Sequence, residues 1–136
     1  MKLLQNEKEY FTEHWGKHAS KGYPKTKLTV AQEFLNPLEK LLENNEQVLI
    51  LDAGCGDGVH VNVMTKKFSP RKIVGIDISL SAIKTAVKKN YENKFICADI
   101  LEMPIQKDLF DVTISYGVIA YTNKPNVAFE EICRVT

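Results

Sequence analysis

Between Val48 and Gly58 the chain reads VLILDAGCGDG, an apolar run that ends in an acid, Asp52, and passes through Ala53 and Cys55 into three glycines at alternate positions. Glycine lacks a Cβ, so a bend containing Gly54, Gly56 and Gly58 can take positive φ and let a ligand come up against the main chain. A helical pattern follows at once, and the first N–H groups of a helix have no partner inside it. The bend therefore offers backbone donors next to a carboxylate. A dinucleotide loop would read G-x-G-x-x-G, with pyrophosphate resting on the helix N-terminus. Gly54 and Gly56 fit that pattern, but its third glycine position is Val59, and Asp57 places an acid inside the loop where a pyrophosphate would be repelled. A ligand without phosphates and with positive charge is the better match. Three glycines alone could be only a tight strand-to-helix turn; the acid, the strand before and the helix after them favour a site.

Two further acids stand at comparable places. Ile73-Val74-Gly75-Ile76-Asp77 ends a second apolar run, 19 residues after Gly58. A carboxylate there can accept hydrogen bonds from the vicinal hydroxyls of a ribose; by itself it would read as a helix cap. Ala98-Asp99-Ile100 follows a third run and offers an acceptor for an exocyclic amine, although an isolated Asp of this kind is commonly a solvated turn residue. Open α/β sheets bind ligands beyond the carboxyl ends of their strands, where strand order reverses.

The elements needed to hold these acids can be read from the pattern. After Asn44-Asn45 short apolar strands alternate with amphipathic helices, the signature of βαβ units on a parallel sheet. The expected strands are Gln47 to Asp52, Lys72 to Asp77, Lys94 to Cys97 and Phe110 to Ser115. Helices are expected from Gly58 to Phe68, burying Val59, Val63 and Met64, and from an N-cap at Ser79 to about Asn90, burying Ile83, Ala86 and Val87. A last helix runs from Pro125 to about Arg134, with Val127, Ala128, Ile132 and Val135 available for packing. Upstream, Leu28, Ala31, Phe34, Leu35, Leu38, Leu41 and Leu42 share one helical face, interrupted by Pro37. Residues 6 to 18 read as a short polar helix and Gly16 to Pro24 as a loop, so residues 1–27 form a separate cover segment and 28–136 the sheet domain.

Composition narrows the classes. Across 136 residues, 44% are hydrophobic and 26% charged, the balance of one globular domain. A formal charge of +1 gives no global field for nucleic acid or a membrane surface. The apolar runs are far shorter than the roughly 20 residues that span a bilayer. Glu7, Lys8 and Glu9 stand where a signal peptide would be apolar, which makes the cytoplasm the expected location. Cys55, Cys97 and Cys133 are odd in number and far apart, which points away from disulfides and from a zinc site and toward small buried side chains.

Taken together, Asp52-x-Gly54-x-Gly56-x-Gly58, Asp77, Ala98-Asp99 and Phe110-Asp111-Val112-Thr113-Ile114-Ser115 resemble the class I S-adenosylmethionine-dependent methyltransferases, most closely the small-molecule group of the methyltransferase-domain-11 or -25 type, from about Val48 to Val135. The resemblance implies a Rossmann-like three-layer αβα sandwich whose parallel sheet has strand order 3-2-1-4 and lacks the last strands of the seven-stranded family sheet. A shortened chain, or a partner or second copy covering the fourth-strand edge, is the matching expectation. It further implies S-adenosyl-L-methionine as cofactor. Asp52, Ala53, Gly54, Cys55, Gly56 and Gly58 would cradle the methionine part, and Asp77 the ribose. Asp99 would meet the adenine amine between Ile78 and Ile100, and Ser115 to Gly117 would lie near the methyl group. Tyr10 and Trp15 belong to a segment that covers the site in similar enzymes. Methyl transfer is a direct displacement at an already activated carbon, so alignment supplies most of the rate and no triad is expected. Tyr116 is the candidate on the substrate side; Tyr121 reads equally well as a packing residue, and His14 and His18 read as ordinary surface residues of the N-terminal segment. The implied activity is methylation of a small molecule. Its alternatives are a non-catalytic S-adenosylmethionine-binding fragment or interaction module, and a nucleotide-dependent oxidoreductase, which the misplaced third glycine and the acidic loop oppose.

Overall fold

A computed structural model describes residues 23–42, 47–68, 72–90 and 92–136. The cover-segment residues Tyr10, His14, Trp15 and His18 therefore lie outside the described residues. Helix α1 is Lys25–Leu42 and buries Ala31, Leu35, Leu38 and Leu42. It starts three residues earlier than the apolar pattern suggested, because Pro24 supplies the first accepting carbonyl, to Leu28 N–H at 3.1 Å. Pro37 sits on an exposed position within α1 and does not end it.

From there strand and helix alternate: β1 (Leu49–Ala53), α2 (Val59–Phe68), β2 (Lys72–Asp77), α3 (Leu80–Lys89), β3 (Lys94–Cys97) and β4 (Val112–Ile114). A 3-10 turn at Ile119–Tyr121 leads to α4 (Pro125–Val135). The four strands are all parallel, in the order β3-β2-β1-β4. On one face, Ile50, Ile73 and Ile114 pack with residues of α1, with Val61, Met64 and Phe68 of α2 and with Ile83 of α3. The opposite face packs Leu51, Ala53 and Ile76 against Ile100, Met103, Phe110 and, from α4, Ala128 and Val135. Three layers result, αβα, with a sheet shorter by several strands than a seven-stranded one. No described helix is long and apolar enough to cross a membrane.

Several sequence expectations are corrected in detail. β4 is half its expected length: Leu109 and Phe110 give their N–H groups to the Val135 carbonyl (3.0 and 2.9 Å), and Asp108 N–H goes to Arg134 (2.9 Å). That backbone closes the end of α4 instead of extending the ladder. β1 begins two residues late and runs on to Ala53, which pairs with Ile76. Val87 is exposed because α3 packs through Ala82, Ile83 and Ala86, and Val87 lies 100° round the helix from Ala86. Leu41 and Val127 are likewise exposed. Of the cysteines only Cys55 is buried; Cys97 ends the edge strand β3 and Cys133 sits on the outer side of α4.

One polar cluster ties α1, α3 and the glycine bend together. Asp57, 4% exposed, accepts from Lys27 Nζ at 2.8 Å and Lys89 Nζ at 3.2 Å. Its carbonyl accepts from Tyr23 OH at 2.6 Å, and Lys89 Nζ lies 4.2 Å from the Tyr23 ring centroid. Asn90, the C-cap of α3, donates through Nδ2 to Tyr23 OH (3.0 Å) and accepts at Oδ1 from Asn62 Nδ2 (2.9 Å). Asn90 also crowds Gly58: with φ at +81°, a Cβ there would lie 2.7 Å from Asn90 Nδ2. Gly58→Ala is expected to lose about 1–3 kcal/mol of unfolding free energy, from a left-handed φ plus displacement of the α3 cap. Urea unfolding with an unchanged slope checks this; a variant as stable as the parent would show that the bend relaxes freely.

Candidate functional site

The glycine bend is shaped by its own backbone. Gly54, Gly56 and Gly58 have φ of +86°, +53° and +81°, which side-chain-bearing residues rarely adopt. Gly54 and Cys55 N–H groups both reach the Ile76 carbonyl, at 2.8 and 2.9 Å, so the bend hangs from the end of β2. Asp77 completes the attachment: Oδ2 accepts from Gly56 N–H at 2.9 Å and Oδ1 from Ser79 N–H at 2.8 Å. Ser79 Oγ in turn caps α3 by accepting from Ala82 N–H at 3.3 Å.

Beyond the carboxyl ends of the strands these groups border an open crevice. It spans the place where strand order reverses between β1 and β4, the expected ligand position in an open α/β sheet. On its β2–β3 side stand Asp77, Ile78, Asp99 and Ile100; Gly54 and Gly56 are central; Tyr116, Gly117, Val118, Tyr121 and Thr122 close the β4 side. Asp99 Oδ1 accepts from Leu101 N–H at 2.9 Å. A carboxylate has about four acceptor positions, so Asp77 and Asp99 both retain capacity for a ligand's donors.

Not every residue singled out in the sequence reaches the crevice. Asp52 and Ala53 are fully buried behind it, Cys55 is buried, and Gly58 faces Asn90 and Ala86. Ser115 is half-buried beside it at the end of β4. Asp57 turns away from it toward two lysines, so it does not repel a ligand there. Opposition to a pyrophosphate comes instead from Asp77 and Asp99, the charged side chains of the lining. Val118 was not foreseen: its Cγ2 lies 2.0 Å from where a Gly54 Cβ would stand, so valine fills the room that glycine leaves. Nor was an aromatic group behind Tyr116, in which Phe34 of α1 and His60 of α2 lie 4.8 and 5.1 Å from the Tyr116 ring centroid. A buried histidine in the first turn after a glycine bend would have been the sequence signal.

Buried polar atoms gather nearby. Asp52 Oδ1 and Oδ2, Ser115 Oγ and His60 Nε2 make no hydrogen bond among the described residues. Burial, and then the neighbouring Asp77 charge, pushes the Asp52 carboxyl up to about 8. Asp77 is also raised by burial, and the Ser79 and Gly56 N–H groups oppose that rise. Burial lowers His60 to about 4.

Residues 51–136 match the family described as Methyltransferase domain. The chain belongs to the class I S-adenosylmethionine-dependent methyltransferases. It is 31% identical to an uncharacterized protein of Methanocaldococcus jannaschii, over 92% of this chain and 54% of that one. It is 28% identical to the malonyl-(acyl-carrier protein) O-methyltransferase of Priestia megaterium, over 93% of this chain and 47% of that enzyme. The chain thus spans about half the length of the curated relatives it matches. In fold it is similar to the Synechocystis magnesium protoporphyrin IX methyltransferase solved with bound S-adenosylmethionine, with TM-score 0.71, 18% identity, and coverage of 97% of this chain and 71% of that one. A cyclase is also similar, with TM-score 0.68, 23% identity and coverage of 76% and 40%. One fold therefore serves more than one named activity.

The shifted groups set a pH dependence of stability. Asp52 titrates near 8 folded and near 4 unfolded, so its contribution is complete below about pH 4 and is lost as pH rises to about 8. His60 acts oppositely, and its contribution is complete above about pH 6.5. Between pH 6.5 and 8 the His60 contribution is constant, and the loss comes from the raised carboxyls, Asp52 first. The melting temperature of the ligand-free protein should fall across that window and fall less in Asp52→Asn; equal slopes in the two proteins would contradict the assignment.

Proposed function

We propose that the crevice binds S-adenosyl-L-methionine and that the protein transfers its methyl group to an acceptor approaching from the β4 side. The observation carrying this reading is that Asp77 stands on the crevice wall with two of its acceptor positions already used by Gly56 and Ser79, which fixes the remaining ones. A rigidly held carboxylate suits a pair of ribose hydroxyls. Asp99 would accept from the adenine amine, with Ile78 and Ile100 against the ring. Gly54 and Gly56 leave room for the methionine part, and Asp52 and Ser115 stand directly behind it as unpaired buried polar groups. Bound there, the cofactor supplies a methyl carbon activated by a positive sulfur.

The chain's own part is then alignment and exclusion of water. Tyr116 stands between the crevice and the Phe34–His60 pair, so this aromatic group would form the acceptor side. His60, neutral at physiological pH, would add no charge to it. An oxygen nucleophile on a small or carrier-borne molecule is the acceptor this reading favours, and the relatives named as O-methyltransferases support it.

Asp77→Ala is expected to weaken S-adenosylmethionine binding by about 1.5–3 kcal/mol, the scale of hydrogen bonds to a charged group. Calorimetric titration measures this, with melting temperature recorded separately because the same carboxylate holds Gly56 and Ser79. Unchanged affinity in a folded variant, or comparable binding of NAD by the parent, would remove the reading.

A further inference from the structure

Tyr116, Gly117 and Val118 follow one another after β4 and do different things at the crevice wall. Tyr116 is 45% exposed, and its ring packs against two others from separate elements: Phe34 of α1, 4.8 Å away at an interplanar angle of 61°, and His60 of α2, at 5.1 Å and 55°. Phe34 and His60 also meet each other, at 5.4 Å and 67°, so the rings close a triangle. Gly117 turns the chain with φ at +67°, and a Cβ built on it would meet nothing within 4 Å, so its backbone borders open crevice. Val118 then fills the room over Gly54.

Behind Tyr116 the triangle supplies support. His60 stands in the first turn of α2, is buried, and makes no hydrogen bond through Nε2 among the described residues, so what it offers is the shape of its ring. Aromatic pairs favour tilted and edge-to-face arrangements of this kind, and two of them restrict the supported ring to a narrow range of orientations. Gly117 adds no side chain beside it. Ring and bare backbone together make a stretch of wall without projecting alkyl groups, and the other residues on that side, Val118, Tyr121 and Thr122, carry no charge. The charged lining residues, Asp77 and Asp99, stand on the β2–β3 side. A smooth, uncharged wall with an aromatic face matches a flat, uncharged group.

We propose that Tyr116 determines acceptor specificity, that Phe34 and His60 are positioning residues which fix its ring, and that the acceptor class so selected is a hydroxyl borne on a planar, uncharged ring system. This inference rests on the cofactor reading above and adds a substrate class to it. In the transfer the hydroxyl oxygen gains the methyl carbon, the carbon–sulfur bond breaks with its electron pair left on sulfur, and the hydroxyl proton leaves to solvent.

Titration of the whole chain, saturated with S-adenosylhomocysteine, compares 2-naphthol with decahydro-2-naphthol, which share a carbon skeleton and a hydroxyl and differ in flatness. 2-Naphthol should bind about three- to tenfold more tightly, the scale of one aromatic pair. Tyr116→Phe should keep that preference and Tyr116→Leu should remove it. Removing both supports, in Phe34→Leu combined with His60→Ala, should also remove it, whereas His60→Phe should retain it. Equal or tighter binding of the puckered alcohol, a preference that survives Tyr116→Leu or the loss of both supports, or one lost in His60→Phe would each overturn the proposal. If the support variants do not fold, the two Tyr116 variants decide it, because that side chain is half exposed. Failure of S-adenosylhomocysteine itself to bind would overturn the cofactor reading, and this inference with it.

Discussion

One buried carboxylate holds the site in register. Asp77 joins the middle of the glycine bend, through Gly56, to the cap of α3, through Ser79, across the end of β2. The bend has no side chains of its own to keep it in shape, and its three positive φ angles are tolerable only because glycine occupies them. Two N–H bonds to the Ile76 carbonyl and one to Asp77 fix it from outside. The group that shapes the bend is also a wall of the crevice, so the binding surface and its scaffold cannot vary independently.

Two acids, Asp52 four residues before Gly56 and Asp57 one residue after it, illustrate how context decides charge. Asp57 is nearly as buried as Asp52, yet two lysines and the neighbouring Tyr23 clamp settle it as an ordinary ion-paired group that locks α1 and α3 to the bend. Asp52 has none of these and lies beside a second carboxyl, so burial and the Asp77 charge push its carboxyl up to about 8. Burial alone distinguishes neither; the partners do.

The elements were legible where a hydrophobic run met an unambiguous boundary. β2 and β3 fall where expected because each apolar run stops at an acid or a turn, and α3 starts at its Ser79 cap. β4 was overestimated because Phe110 is apolar like a strand residue, while its N–H serves the end of α4, a contact 25 residues distant that no local pattern encodes. Gly54, Gly56, Asp77, Ile78, Asp99, Ile100 and Tyr116 come together at one crevice. What the sequence could not convey was direction: that Asp57 turns from the crevice toward Lys27 and Lys89, that Gly58 serves helix packing, and that Val118 occupies the space over Gly54. The Tyr23–Asp57 and Phe34–His60–Tyr116 contacts bridge distant segments whose residues carry no shared periodicity.

The central claim is that an adenosyl amino acid lies across the glycine bend between Asp77 and the end of β4. Amide NMR of labelled protein titrated with S-adenosylhomocysteine tests it directly. The account predicts large shifts at Gly54, Gly56, Ile78, Ile100 and Gly117, with little change at Lys66, Lys72 and Lys94, at or toward the opposite edge of the sheet. Shifts concentrated at that opposite edge, or saturation with the bend unmoved, would contradict it.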